Sequence, residues 1–287
     1  MTFLKNNNIY AKIYFRNYVL TDKAGVEIMG IFFCYLAIYF IIFVFGACIG
    51  SFLNVCILRL PSDESLIRGA SHCMTCGEKI KKRDLIPILS WCLLKGKCRS
   101  CKAQISPRYT VVEVLNAMFY VIIFAIFGFV QQPFLPAIIC LLFSCLIVVF
   151  FMDLDTQTIN TGVLIAMALL GIARYFLVGD LTWQSQLIGA FCISIPFLII
   201  VIASRERAMG LGDALLMFSA GLLLGVKAII IATFIGLISG SVAGLIQKHH
   251  TGSNKFAFGP WLSIGIAIGA IWGAQLADLY LKLSGLS

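Results

Sequence analysis

Residues 28–58 form an unbroken run of 31 positions without one charged side chain. A helix needs roughly 20 apolar residues to cross the hydrocarbon of a bilayer, so this run has length to spare. Lipid offers backbone amides no hydrogen-bond partner, which leaves a helix as the conformation such a segment must take. Residues 114–152 are likewise uncharged, and "QQPFLP" at 131–136 divides them into two helices with a tight turn. Further spans are expected near 160–178, 185–203, 208–226, 228–246 and 257–281. The composition agrees, with 60% of residues hydrophobic and 12% charged, against about 25% charged in an ordinary soluble domain. The expected fold is an all-α polytopic membrane protein with about eight transmembrane helices.

The charges are unevenly placed. Of 22 Lys and Arg residues, eleven lie within 59–110, which holds four acids and so carries a net charge of +7. This asymmetry reads as positive-inside topology and puts 59–110 in the cytoplasm as a small soluble insert after the first helix. No basic stripe interleaved with aromatics supports nucleic-acid binding. Counting crossings from the insert, the loops near 153–160, 204–209 and 247–255 fall on the same side, with Arg205, Arg207, Lys248 and Lys255. The opposite loops carry Asp180 and Lys227. Residues 1–28 conflict with this scheme, since Lys5, Lys12, Arg16 and Lys23 would lie outside. They lack the short apolar core and small-residue cleavage site of a secretory signal. They are read as a polar tail, or as a segment preceding a start at Met29. The expected organisation is 1–28 tail, 29–58 first transmembrane helix, 59–110 four-cysteine domain and 111–287 helical membrane domain.

Seven of the eleven cysteines (Cys34, Cys48, Cys56, Cys92, Cys140, Cys145 and Cys192) are scattered mostly through apolar segments, where a free thiol behaves as a small hydrophobe. The other four make "CMTC" at 73–76 and "CRSC" at 98–101. Two C-x-x-C turns can close a tetrahedron around Zn²⁺, so Cys73, Cys76, Cys98 and Cys101 are candidate zinc ligands. A redox dithiol centre or disulfides are the alternatives, and a cytoplasmic placement argues against stable disulfides. An insert of about 50 residues has too small a core to stand alone, which gives a metal staple a physical reason.

Few carboxylates fall at membrane depth: Glu113, Asp153, Asp155, Asp213 and Asp278. Asp213, in "MGLGDALL" at 209–216, is the one charge between Arg207 and Lys227. Counted from the start of a span at 208, it lies about 8–9 Å inside the cytoplasmic end. Gly210 and Gly212 remove side chains beside it, so a peptide backbone or partner helix can approach closely. Asp153, in "FFMDLDTQTIN", reaches the same depth from the same side. Two carboxylates sharing a site divide one proton, the arrangement that activates water against a peptide carbonyl. Helix capping by each Asp is the competing reading. Asp155 is a substitute acid or the cap of the next helix. Glu113 is read as a capping or packing residue, and Asp278 as an interface charge.

Together these segments resemble the type IV prepilin peptidases, the bifunctional leader peptidase/N-methyltransferases of the A24 aspartic-protease type. The resemblance rests on "GSFLNVCILRLP" (50–61), the cysteine segment, "VVEVL" (111–115), "MDLDTQTIN", "GLGD" and "FGPWLSIG" (258–265). It implies Asp153 and Asp213 as catalytic acids of a cell-membrane hydrolase with the cysteine domain and active site on the cytoplasmic side of a prokaryotic inner membrane. The implied partners are prepilin or pseudopilin precursors of type IV pilus or type II secretion systems, and membrane lipids. After cleavage of a short basic leader, the resemblance implies N-methylation of the new N-terminus with S-adenosylmethionine. No nucleotide fingerprint locates that cofactor's pocket. A membrane thiol–disulfide oxidoreductase built on the paired C-x-x-C motifs is the alternative function. Two positions depart from the family pattern: Asn160 stands where Pro is usual, and Leu215 where Lys is frequent. The insert's positive charge would repel a basic leader and suits anionic headgroups, so leader recognition is expected to be set by membrane depth.

Overall fold

The computed structural model describes residues 23–66, 71–128, 132–206, 209–251 and 256–285. Residues 1–22 of the expected tail, Gln131, Arg207 and Lys255 therefore lie outside the described residues. The helices are α1 (Lys23–Arg59), the short α2 (Leu89–Leu93) in the insert, α3 (Arg108–Phe127), α4 (Phe134–Thr156), α5 (Thr161–Leu177), α6 (Trp183–Ser204), α7 (Leu211–Thr251) and α8 (Gly259–Leu283). Only isolated antiparallel bridges, His72 with Lys79 and Lys97 with Gln104, interrupt this all-helical pattern among the described residues.

Six of these helices are long and apolar enough to cross a membrane, and two features bring the candidate crossings among the described residues to eight. The first is the 17-residue α5, apolar but shorter. The second is the 41-residue α7, whose ~62 Å of helix is about twice the ~30 Å hydrocarbon thickness. It breaks at Gly225, with φ +75° and ψ 176°, a conformation essentially confined to glycine. The break reverses the chain. Gly212 lies against Ile159, and Gly171 against Leu222 and Leu223, so the first half of α7 runs parallel to α5. Gly273 meets Ala228 and Phe258 meets Gly240, so the second half runs antiparallel to α8. The two spans expected at 208–226 and 228–246 are thus one element turned at a single residue.

Such a break strands backbone groups, and side chains take them up. Arg174 donates to the Leu223 carbonyl at 3.0 Å while held by Asp180 at 2.6 Å. The Ser185 hydroxyl accepts from the Val226 N–H at 3.4 Å.

By packing, the chain divides into two units, Met1–Val44 and Phe45–Ser287. In the first, Phe32, Phe33, Phe40 and Ile41 are exposed around α1, as suits a helix surrounded by lipid. In the second, α6 with α7 and α7 with α8 make the most extensive contacts. Its core holds Ile139, Leu142 and Met152 of α4, Met167 of α5, Leu216, Leu223 and Ile229 of α7, and Leu262 and Ile266 of α8. Small residues let backbones approach: Gly221 faces Gly189, and Gly265 and Gly269 face Ala232. A polar cluster ties the end of α1 to α3 and α4. Asn116 donates to the Gly46 carbonyl at 2.7 Å, Ser144 donates to Asn116 Oδ1 at 2.9 Å, and Tyr120 and Ser144 share a 3.0 Å bond.

The insert joins α1 to α3, and Glu113 anchors it. This buried carboxylate accepts the Ile88 N–H at 2.7 Å. The packing role expected of Glu113 is therefore a bond from α3 to the insert.

Candidate active site and metal centre

Each C-x-x-C pair sits in the same kind of turn. The Gly77 N–H donates to the Cys73 carbonyl at 2.8 Å and the Cys73 N–H to Glu78 at 2.9 Å; likewise Lys102 donates to Cys98 at 3.1 Å and Cys98 to Ala103 at 2.8 Å. Gly77 and Lys102, each four residues after the first cysteine of its pair, both take a left-handed conformation, φ +69° and +61°. The two turns bring the Sγ atoms of Cys73, Cys76, Cys98 and Cys101 within 4.8 Å of one another. Cys73 and Cys101 Sγ are 3.8 Å apart, the edge of about 3.8 Å that four ~2.3 Å zinc–sulfur bonds make in a tetrahedron. The tetrad therefore fits a metal ion, and it pairs thiols across the motifs as well as within each.

Backbone N–H groups of Cys76 and Thr75 hold the Cys73 thiol down to about 6. Cys76 moves the opposite way, up to about 11: the Glu78 N–H favours its thiolate, but desolvation and the neighbouring Cys101 and Cys73 outweigh that. A divalent cation removes the conflict by stabilising every thiolate at once. Arg99, between the ligands, makes a two-pronged pair with Asp84 at 2.6 and 2.8 Å. Its guanidinium holds that carboxyl below the usual carboxylate range.

Asp153 lies near the C-terminal end of α4 and Asp213 in the first turn of α7. Both side chains belong to buried residues, 6% and 8% exposed, and the two carboxyl groups interact electrostatically. Asp153 Oδ2 accepts a 2.9 Å bond from the N–H of Gly259, the first residue of α8. Asp213 Oδ2 accepts a 3.3 Å bond from the Gly210 N–H, and the Asp213 N–H returns one to the Gly210 carbonyl. Both acids thus serve helix N-termini: Asp213 its own, reciprocally, and Asp153 that of a helix 106 residues away. Capping, one of the two alternatives in the sequence, is therefore present for both acids, and it leaves their carboxyl groups within electrostatic reach of each other. Gly212 is closely approached by the chain's own Ile159, whose Cβ would lie 3.1 Å from an added methyl.

Asp155 does not cap α5. It pairs with Arg108 through two bonds of 2.6 and 2.8 Å, while the guanidinium lies 4.9 Å over the Phe151 ring. The cap of α5 is Asn160, whose Oδ1 accepts the Gly162 N–H at 2.8 Å. The residue that departs from the family pattern therefore starts the helix by another means. Leu215, the second departure, is exposed between buried Ala214 and Leu216. Asp278 pairs with Lys227 at 2.6 Å, both exposed.

Two residues of this region escaped the sequence reading. Gly259 stands in "FGPWLSIG", quoted there for resemblance alone; a Gly directly before a helix-starting Pro is the signal that marks it. Ser263, one turn along α8, is a buried hydroxyl without a hydrogen-bond partner. Nothing in the sequence separates it from Ser144, Ser194 or Ser219, which bond to the carbonyl four residues back.

Comparison with known proteins bears on what these two centres do. The bacterial peptidase A24 N-terminal domain matches residues 44–127, and the type IV leader peptidase family matches residues 140–245. A prepilin leader peptidase/N-methyltransferase of Myxococcus xanthus is 33% identical over 215 residues, covering 74% of this chain and 63% of that protein. Proteins of the same name from Aeromonas salmonicida and Bacillus subtilis are each 30% identical, covering 85% of this chain and 94% and 98% of their own lengths. No solved structure matches the chain. None of this supports the thiol–disulfide alternative. A polytopic helical protein that aligns with such relatives almost end to end, through both the cysteine domain and the segment bearing the two acids, belongs to the type IV leader peptidase family.

Proposed function

We propose that this chain removes the short basic leader from prepilin-like precursors at the cytoplasmic face of the prokaryotic cytoplasmic membrane, and then N-methylates the new N-terminus. The observation that supports the proteolytic half is that Asp153 and Asp213, buried on two membrane helices, lie within electrostatic reach of each other. In this reading they are the catalytic acids. One takes a proton from water while the other donates a hydrogen bond to the scissile carbonyl, so attack proceeds without free hydroxide. Gly210 supports the site through its N–H on Asp213, and Gly212 through the close seat it gives Ile159.

Depth supports the choice of substrate. Lys227 and Asp278 form an exposed ion pair beyond Gly225, which suits the headgroups opposite the insert. Asp213 precedes Gly225 by twelve residues, or ~18 Å of helix. About 12 Å of a ~30 Å hydrocarbon layer then remains between Asp213 and the insert side. A precursor helix must unwind near its polar end to present a peptide bond there, because a helical carbonyl is already bonded. The basic insert and Arg205 support a cytoplasmic placement of that side by the positive-inside rule.

Cys73, Cys76, Cys98 and Cys101 would hold Zn²⁺ as a structural staple of 59–110. S-adenosylmethionine would serve as methyl donor to the new pilin amine, with S-adenosylhomocysteine and a proton as the other products. The test is incubation of the purified protein with a prepilin-like precursor, with and without S-adenosylmethionine, read by intact mass. Loss of the leader, and a methyl-sized gain with the donor, are the expected results. Asp153→Asn and Asp213→Asn should each reduce cleavage by at least about 1000-fold. Undiminished cleavage by both variants excludes the dyad.

A further inference from the structure

We propose that Gly259 is a positioning residue that fixes Asp153 as the ionised, water-activating carboxylate and so leaves Asp213 to carry the catalytic proton. This rests on the proteolytic reading above, which does not distinguish the two acids.

Three observations point to it. The Gly259 N–H meets Asp153 Oδ2 at 2.9 Å, whereas the bond from Gly210 to Asp213 is 3.3 Å. Bonds from N–H to a carboxylate strengthen as they shorten and favour the charged form. Gly259 also opens the 25-residue α8, while the first half of α7 ends at Gly225. Within the first turn of α8, Pro260 has no N–H, and Trp261 and Leu262 donate back to Phe258. The outward donor of that helix end is therefore spent on Asp153, at the positive pole of its dipole. Asp213 also occupies a first turn, but the groups it meets there belong to its own reciprocal cap. Finally, an added Cβ at Gly259 would lie 2.7, 3.1 and 3.3 Å from Oδ2, Cγ and Cβ of Asp153. Three atoms of that side chain thus wrap the place where any other residue would carry a methyl. Gly259 is a mould for the carboxylate as well as its donor.

The assignment fixes the proton path. Asp153 takes a proton from water as the water oxygen bonds the carbonyl carbon, and Asp213 gives its proton to the carbonyl oxygen, forming a geminal diol. Asp153 then returns its proton to the leaving nitrogen, the carbon–nitrogen bond breaks, and Asp213 recovers a hydroxyl proton. The products are an acid and an amine, with both aspartates restored.

The experiment uses the full-length protein in detergent with a prepilin-like precursor. Cleavage and methylation of already cleaved pilin are measured separately. Gly259→Ala must displace the Asp153 carboxylate, and a misplacement of about 1 Å costs on the order of 100-fold. The expected result is a fall in cleavage kcat of about that size, with KM and the methylation rate within about threefold of wild type. Cleavage kcat within about threefold of wild type overturns the proposal. If Gly259→Ala loses methylation as well, Asp213→Asn and Asp153→Asn decide. An Asn amide can donate a hydrogen bond as a protonated Asp does but cannot accept water's proton. Residual cleavage by Asp213→Asn should therefore exceed that of Asp153→Asn by about tenfold or more. Equal or reversed residuals overturn the assignment while leaving the proteolytic reading intact. Wild-type cleavage by both Asn variants removes that reading and the assignment with it.

Discussion

At the scale of single residues, two aspartates two positions apart have different fates. Asp153 is buried between helices, and Asp155 forms a half-exposed pair with Arg108, the side chains 40% and 37% exposed. Residue type and spacing could not separate them, because the distinction is made by Arg108, 47 positions earlier. Asp155→Asn should keep cleavage within about threefold of wild type and cost at most about 1 kcal/mol in thermal unfolding. A loss comparable with that of Asp153→Asn would show that Asp155 belongs to the reaction. Lys102 offers a second case. It holds φ +61° where the equivalent turn has Gly77, and a non-glycine pays for that conformation. Lys102→Gly should stabilise the insert by a few tenths to about 1 kcal/mol, the relief of strain being partly offset by unfolded-state entropy. Protease resistance of the insert under mild denaturant measures it.

At the scale of elements, the helices were legible from charge-free length, and the tetrad from the repeated C-x-x-C spacing. The turn inside α7 was legible as the end of a span but not as a one-residue reversal. Gly225 can turn there because Arg174 and Ser185, from other parts of the chain, meet the stranded backbone groups. Gly225→Ala would force a side chain into a glycine conformation and place its Cβ 2.8 Å from Ser185 Oγ. It should destabilise the membrane domain by about 2–3 kcal/mol, seen as a lower unfolding temperature in detergent. A variant as stable as wild type would mean that the break does not depend on glycine. For the insert, the tetrad predicts about one zinc per chain by elemental analysis. Cys98→Ser should bring the content well below that and render 59–110 sensitive to protease, while the membrane helices stay folded. Full occupancy in Cys98→Ser would exclude a four-thiolate site.

At the scale of the whole molecule, polar side chains are sheltered among the apolar residues of the core, and large apolar ones cover the outside. Asn116, Ser144, Gln186 and Thr233 are buried, whereas Phe176, Ile199, Ile202 and Phe234 are exposed. Water would reject that surface, and lipid accepts it. The alternation of crossings puts the Lys227–Asp278 pair at the end opposite the insert. In a background lacking the exposed Cys34 and Cys48, Asp278→Cys should react with an impermeant reagent added outside intact cells, and native Cys92 of the insert, which is exposed and outside the tetrad, should not. The reverse labelling would invert the proposed orientation.

Hydrophobic runs, charge asymmetry and paired cysteines are local or additive properties of the chain. They determined without coordinates that this protein is helical, spans the membrane many times and carries a four-cysteine insert, because lipid permits few backbone solutions and metal chemistry few spacings. What Glu113 anchors, what Asp155 pairs with, and that the first residue of α8 cradles Asp153 are pairings across 25 to 106 residues. They depend on which helix faces pack together, and in an apolar milieu that choice is made by shape and by the few polar groups needing partners. Tertiary structure alone decided them.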